Sequence, residues 1–213
     1  MDTIQYLHTM TIHNKYMILP ATIIFFLITV SIVFSFSGII IDEDTTDKAM
    51  IISKTVQYLK GKKISTTDEK LKTIANSVYE ESQKYSIDYR LILAVMKVES
   101  NFKNDAISRK GARGLLQVKP SLARYIAKDT GMQVEGVTSL HEPEKNIQIG
   151  VNYLSKLLDM FENLTSALHA YNAGPSKVKK IGALSTAPST HFTKKVMNEY
   201  QQIIEVLPDP EEE

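Results

Sequence analysis

The sequence predicts an all-α protein, a single helical domain behind one long apolar run. From residue 68 to residue 207, segment after segment carries apolar residues three and four apart, the spacing of a helix with one buried face. No segment in that range alternates apolar and polar residues as a half-buried strand would. No period of 20–50 residues repeats, which argues against a solenoid. The 140 residues involved are enough to enclose a proper core.

Taken in order, residues 1–16 read as a cytoplasmic segment and residues 17–41 as a membrane-spanning helix. Those 25 residues contain no Asp, Glu, Lys, Arg or His, and a span needs about 20 apolar residues. Lys15 precedes the run, and Asp42, Glu43, Asp44 and Asp47 follow it, which favours a cytoplasmic N-terminus with the remainder on the far side of the membrane. A cleaved signal peptide is the alternative, because Ser35-Phe36-Ser37-Gly38 offers small residues where a peptidase needs them; the length of the run favours the anchor. Residues 42–67 read as a stalk: a short helix with Ile51, Ile52, Thr55, Val56 and Leu59 at helical spacing, then a polar linker from Gly61 to Thr67.

Within 68–207, Asp68 precedes the stripe Leu71, Ile74, Ala75, Val78, and Asp88 precedes Leu91, Ile92, Val95, Met96, each acid placed as an N-cap. Pro143 opens a helix carrying Ile147, Val151, Leu154 and Leu158. A shorter helix from Thr165 to Ala173 stops at Gly174-Pro175, after which Ser176 can cap another. The last helix starts near Pro188 to Thr190 and carries Phe192, Val196, Tyr200 and Ile203. Residues 208–213, Pro-Asp-Pro followed by three Glu, read as a solvated acidic tail.

Composition excludes several functions. The 25 Lys and Arg against 24 Asp and Glu leave a net charge of +1, and Arg occurs only at positions 90, 109, 113 and 124, so nothing favours a nucleic-acid partner. The absence of cysteine removes disulfides, thiolate nucleophiles and Cys-ligated metal sites.

The chemical signal is Glu99. Ile92, Val95, Met96 and Glu99 fall at i, i+3, i+4 and i+7, so a carboxyl shares the stripe of three residues that seek the core. Desolvation raises the pKa of an acid in such a place, and an acid protonated near neutrality is what general-acid cleavage of a glycosidic bond requires. The competing reading is a structural one, with Glu99 capping the helix end or pairing with Lys97 or Lys103.

The run Glu99-Ser100-Asn101-Phe102, then Ala106-Ile107-Ser108, Gly111-Ala112-Arg113-Gly114 and Leu115-Leu116-Gln117-Val118-Lys119-Pro120, resembles the signature of the soluble-lytic-transglycosylase family, lysozyme-like enzymes acting on peptidoglycan. Two further blocks follow in the family's order: Pro143-Glu144-x-Asn146-Ile147-x-x-Gly150-x-x-Tyr153-Leu154, and Ala170-Tyr171-Asn172-Ala173-Gly174-Pro175. Together they cover about half the chain.

The resemblance implies a lysozyme-like helical fold with a catalytic cleft, Glu99 as the catalytic acid, and Ser108, Gln117, Tyr171 and Asn172 around the sugar. The residue types agree with those roles. Ser108 can donate to or accept from an N-acetyl group, Gln117 offers a carbonyl and an amide, and the Tyr171 phenol can reach Glu99 while its ring lines the cleft. Ordinary alternatives stand beside these: a turn serine, a surface glutamine, a core tyrosine. Gly111 and Gly114 are better explained by backbone geometry than by ligand contact.

Glycosidases usually place two carboxylates across the scissile bond. Asp105 is the nearest second candidate and reads as turn chemistry. The family's one-carboxyl chemistry is therefore implied: Glu99 protonates the oxygen between N-acetylmuramic acid and N-acetylglucosamine, the substrate's acetamido group stabilises the sugar cation, and Glu99 then takes the C6 hydroxyl proton, giving a 1,6-anhydromuropeptide without water, metal or cofactor. The implied partners are peptidoglycan strands, the membrane through residues 17–41, and an envelope-spanning secretion or division machine, with the domain on the periplasmic or wall side.

Three features depart from the family. Lys119 stands where many members carry Met, Pro188 and Phe192 stand where many carry Glu and Tyr, and the soluble members lack an anchor. His191 reads as a surface or capping residue. Two other functions remain open to the same residues: a glycan-binding scaffold that does not cut, and a hydrolytic lysozyme.

Overall fold

The computed structural model describes residues 43–182 and 189–210. The chain divides after Asp47, and the unit described below is Lys48–Glu213. The segments read as cytoplasmic and membrane-spanning, 1–16 and 17–41, lie outside the described residues. Among the described residues, no helix is long and apolar enough to cross a membrane.

Eight α-helices are described: α1 (Glu43–Gly61), α2 (Asp68–Tyr85), α3 (Tyr89–Ser100), α4 (Pro120–Thr130), α5 (Pro143–Met160), α6 (Leu164–Ala173), α7 (Pro175–Gly182) and α8 (His191–Ile204). A single 3₁₀ turn, Thr138–His141, leads into α5. Isolated bridges pair Ile107 with Arg113 and Arg113 with Val118, and the described residues contain no longer strand.

Local chemistry fixes the helix ends. Asp88 accepts the Arg90 N–H at 2.8 Å and caps α3; Asn163 accepts the Ser166 N–H at 2.8 Å and caps α6. Thr190 and Thr193 form a reciprocal box at the start of α8. Thr67, one residue before the expected Asp68, caps α2, and Asp68 instead binds Lys60 at 2.6 Å. Pro120 and Pro143 occupy first turns of their helices, where a missing N–H costs nothing. The Pro120 helix escaped the periodicity reading: only Ala123 and Ile126 of α4 are buried, too thin a stripe to register, although Pro at its start and Gly131 at its end bracket it.

The body is built around α3, in which every residue from Tyr89 to Met96 is buried, a helix apolar nearly all round. α3 packs along α8 and against α2; α2 lies along α5, and α6 bridges α5 and α8. Leu71, Ile74, Ile92, Met96, Leu116, Ile147 and Val196 belong to one continuous core.

Two expectations are corrected. Residues 42–67 are not a free stalk: Ile51, Thr55 and Leu59 are 4%, 1% and 0% exposed, and Ile51 and Leu59 join the main core. Four-residue spacing puts all three on one face of α1, and burying that face outweighs leaving it in water. Nor does the start of the tail float. Tyr89 donates to the Pro208 carbonyl at 2.7 Å, and buried Arg90 pairs with Asp88 at 2.8 Å and Asp209 at 2.9 Å. A buried guanidinium has five N–H donors to satisfy, and Asp209 adds an acceptor to Asp88, which also accepts from Tyr200 at 2.6 Å.

Candidate active site

Glu99 occupies the last turn of α3, the most buried helix of the body. Ile92, Val95 and Met96 on its stripe are fully buried, and Glu99 itself is half-buried. Burial pushes its carboxyl up to about 7. Among the described residues no cation pairs with it; Lys97 turns instead to the Asn101 side chain. The structural alternative, a helix-end ion pair with Lys97 or Lys103, is not what this geometry contains.

Beyond Glu99 the chain reverses sharply. Asn101 (φ 52°) and Phe102 (φ 61°) are both left-handed, a conformation uncommon for asparagine and an outlier for a bulky aromatic. Phe102 is held there by its burial and by the edge of Tyr58 from α1, with ring centroids 6.2 Å apart. The helix misread as a stalk thus braces the turn beside Glu99.

The segment 106–118 folds into a tight loop on its own main chain. Gly114 donates to the Ala106 carbonyl at 2.9 Å, and Arg113 and Val118 exchange both main-chain bonds at 2.9–3.0 Å. Asn146 of α5 pins the loop from beneath. It is 1% exposed, donates to the Arg113 and Leu140 carbonyls at 2.9 and 2.8 Å, and accepts the Leu116 N–H at 2.8 Å. Gly111 and Gly114 have φ of +76° and +73°, and a Cβ on Gly114 would stand 2.3 Å from the Asn146 amide nitrogen. Gly150, one helical turn beyond Asn146, lets the Leu116 side chain seat against α5, since a Cβ there would stand 2.5 Å from it. His141 adds a second tie, with Nδ1 on the Asn104 carbonyl at 3.2 Å and Nε2 facing Arg113 at 3.0 Å. Nδ1 therefore donates, and neutral Nε2 accepts from the guanidinium.

The predicted site residues are placed as follows. The Ser108 hydroxyl oxygen accepts the Ala112 N–H at 3.0 Å, closing the turn and keeping its proton for another acceptor. The Gln117 amide donates to the Gly114 and Ala106 carbonyls at 2.9 and 3.3 Å, so its nitrogen braces the loop and its carbonyl remains. Gln117 is itself left-handed, with φ 48°. Tyr171, at the end of α6, donates to the Leu116 carbonyl at 2.9 Å rather than to Glu99. Burial and the Glu99 carboxylate hold its phenol well above the ordinary range. Asn172 is exposed in the same turn, and Asp105 is exposed in the loop after Phe102. Asn146, His141 and Tyr58 were missed as supports. Asn146 stood in a quoted motif, but its partners lie 6 to 33 residues away in sequence. Among the described residues no group of three or more His, Asp or Glu side chains is placed to hold a metal ion.

A half-buried acid at the end of a central helix, with a pinned loop and a half-buried tyrosine in the same helical body, is the arrangement of a lysozyme-like helical protein. The chain belongs to the transglycosylase SLT domain family, whose model matches residues 76–192. It is 39% identical over 114 residues to membrane-bound lytic murein transglycosylase C of Pectobacterium atrosepticum, covering 49% of this chain and 32% of that protein. It is 32% identical over 158 residues to the protein of the same name from Mannheimia succiniciproducens, covering 69% of this chain and 44% of that one. The chain thus spans about a third to under half of the length of these curated relatives. In structure it is similar to the lytic transglycosylase Slt of Pseudomonas aeruginosa, solved as an inactive mutant, with TM-score 0.54 and 25% identity over 63% of this chain and 25% of that one.

Proposed function

We propose that this protein is a peptidoglycan lytic transglycosylase that cleaves the β-1,4 bond between N-acetylmuramic acid and N-acetylglucosamine, with Glu99 as acid and then base. The observation that carries the reading is the Glu99 carboxyl, half-buried on an apolar stripe, unpaired with any cation among the described residues, and raised to about 7. Such a group holds its proton at neutral pH yet can surrender it. Glu99 gives that proton to the glycosidic oxygen as the bond to C1 breaks. The acetamido oxygen of the same sugar bonds C1, and the C6 oxygen then displaces it while returning its proton to Glu99. The enzyme ends as it began, and the product is a 1,6-anhydro sugar. Ser108 through its remaining proton, the Gln117 carbonyl and Asn172 are the groups offered to the substrate; Tyr171 holds the Leu116 carbonyl that precedes Gln117.

The names of the Pectobacterium and Mannheimia relatives support the substrate class. We further propose that residues 17–41 anchor the chain in the membrane, with the body from Lys48 on the wall side. Mass spectrometry of sacculi digested by the protein tests the reaction. Anhydro ends support it, reducing ends would make the protein a lysozyme, and no new ends would make it a binder.

A further inference from the structure

Beyond Tyr171 a line of aromatic rings leads away from the acid. Tyr153 of α5 packs against Tyr171, with ring centroids 5.6 Å apart and planes tilted by 45°. The next ring is placed by an ion pair. Lys156 binds Asp129 at 2.6 Å across the seam between α5 and α4. Tyr153 precedes Lys156 by three residues on α5, and Tyr125 precedes Asp129 by four on α4, so each tyrosine lies one turn from the ion pair on the side of its own helix that carries it. The Tyr125 phenol lies near enough to interact electrostatically with both Tyr153 and Lys156, in keeping with that placement. The row therefore runs from Tyr171 through half-buried Tyr153 to Tyr125, which is 60% exposed.

One exposed aromatic means little by itself. This one ends a row that begins at Tyr171, on a helix that leaves the pinned loop directly after Gln117 and Val118. α4 begins three residues after Gln117, so its first turns adjoin the loop that carries Ser108 and Gln117. Lys156 and Asp129 neutralise each other beside the ring, while exposed Arg124 and Lys128 of the same helix keep the surroundings cationic, so an uncharged sugar meets the ring face itself. Aromatic rings present broad apolar faces at small entropic cost, the surface against which the C–H face of a pyranose packs.

We propose that Tyr125 is a stacking platform for an outer sugar of the glycan strand, beyond the sugars flanking the scissile bond, reached along the row Tyr171, Tyr153, Tyr125. The role rests on the glycan-cleaving function proposed above and adds a subsite to it. Tyr125 is a specificity residue and takes no part in the chemistry, so its effect falls on KM.

The test uses the full chain with Tyr125→Ala and Tyr125→Phe. On sacculi, Tyr125→Ala raises KM about tenfold with kcat within about twofold, and Tyr125→Phe matches the parent because the ring, not the hydroxyl, stacks. Binding of N-acetylglucosamine hexamer, followed by tyrosine fluorescence in a chain without tryptophan, weakens about tenfold in Tyr125→Ala only. Hexamer binding and KM unchanged in Tyr125→Ala, or an equal loss in Tyr125→Phe, would overturn the platform. If the parent cuts nothing yet binds hexamer through Tyr125, the cleavage reading fails and the platform stands.

Discussion

Glu99 shows how much one residue can disclose before any contact is known. Its place on the stripe of Ile92, Val95 and Met96 is a matter of helix period alone, and the structure buries all three and lifts the carboxyl to about 7. Glu99→Gln keeps the shape and removes the acid, so cleavage falls by about 100- to 10,000-fold in a sacculus-release assay. The same substitution changes stability with a defined sign. The carboxyl's folded pKa lies above its unfolded value of 4.5, so the parent is least penalised below 4.5 and loses stability as pH rises through about 7. Thermal melts should therefore show Glu99→Gln stabilised relative to the parent at pH 8, by up to about 3 kcal/mol at 1.36 kcal/mol per unit, and little changed at pH 4. Tyr171 was less legible, because its acceptor, the Leu116 carbonyl, lies 55 residues away. Tyr171→Phe leaves that carbonyl without its donor; urea melts are expected to show a loss of about 1–3 kcal/mol, with slower cleavage.

Among the elements, those with strong stripes and a capping residue or proline at the start were readable, as α2, α3, α5 and α8 were. α4 was passed over because two buried residues make no visible period. α1 was seen as a helix, but what its stripe covers depends on Phe102 and the core, which sequence does not display. The loop 106–118 is the element on which the site depends most, and Asn146 is its fastening. Asn146→Ala removes three hydrogen bonds, two of them fully buried, and is expected to cost about 3 kcal/mol by chemical denaturation, at about 1 kcal/mol each. The loop that carries Ser108 and Gln117 loosens with it, so cleavage falls further than at a surface alanine such as Lys110→Ala. Gly114→Ala meets the Asn146 amide and Leu140 carbonyl directly, and its φ of +73° disfavours any side chain, so it is expected to be at least as damaging.

At the scale of the whole molecule, the folded body starts at Lys48 and is tied at its other end by Pro208 and Asp209. A chain cut to begin at residue 68 strips Ile51 and Leu59 from the core and the Tyr58 edge from Phe102; it should melt well below a chain beginning at residue 48 and cleave more slowly. Equal melting of the two would restore the free-stalk reading. The central claim, however, is that one desolvated carboxyl performs the reaction. Its most direct test is the pH profile of kcat/KM for cleavage of sacculi by the full chain. The account predicts activity that holds on the acid side and falls tenfold per unit above about 7, as Glu99 loses its proton. A profile whose limb lies near 4.5, the range of an ordinary carboxyl, or one flat from pH 5 to 9, would contradict it.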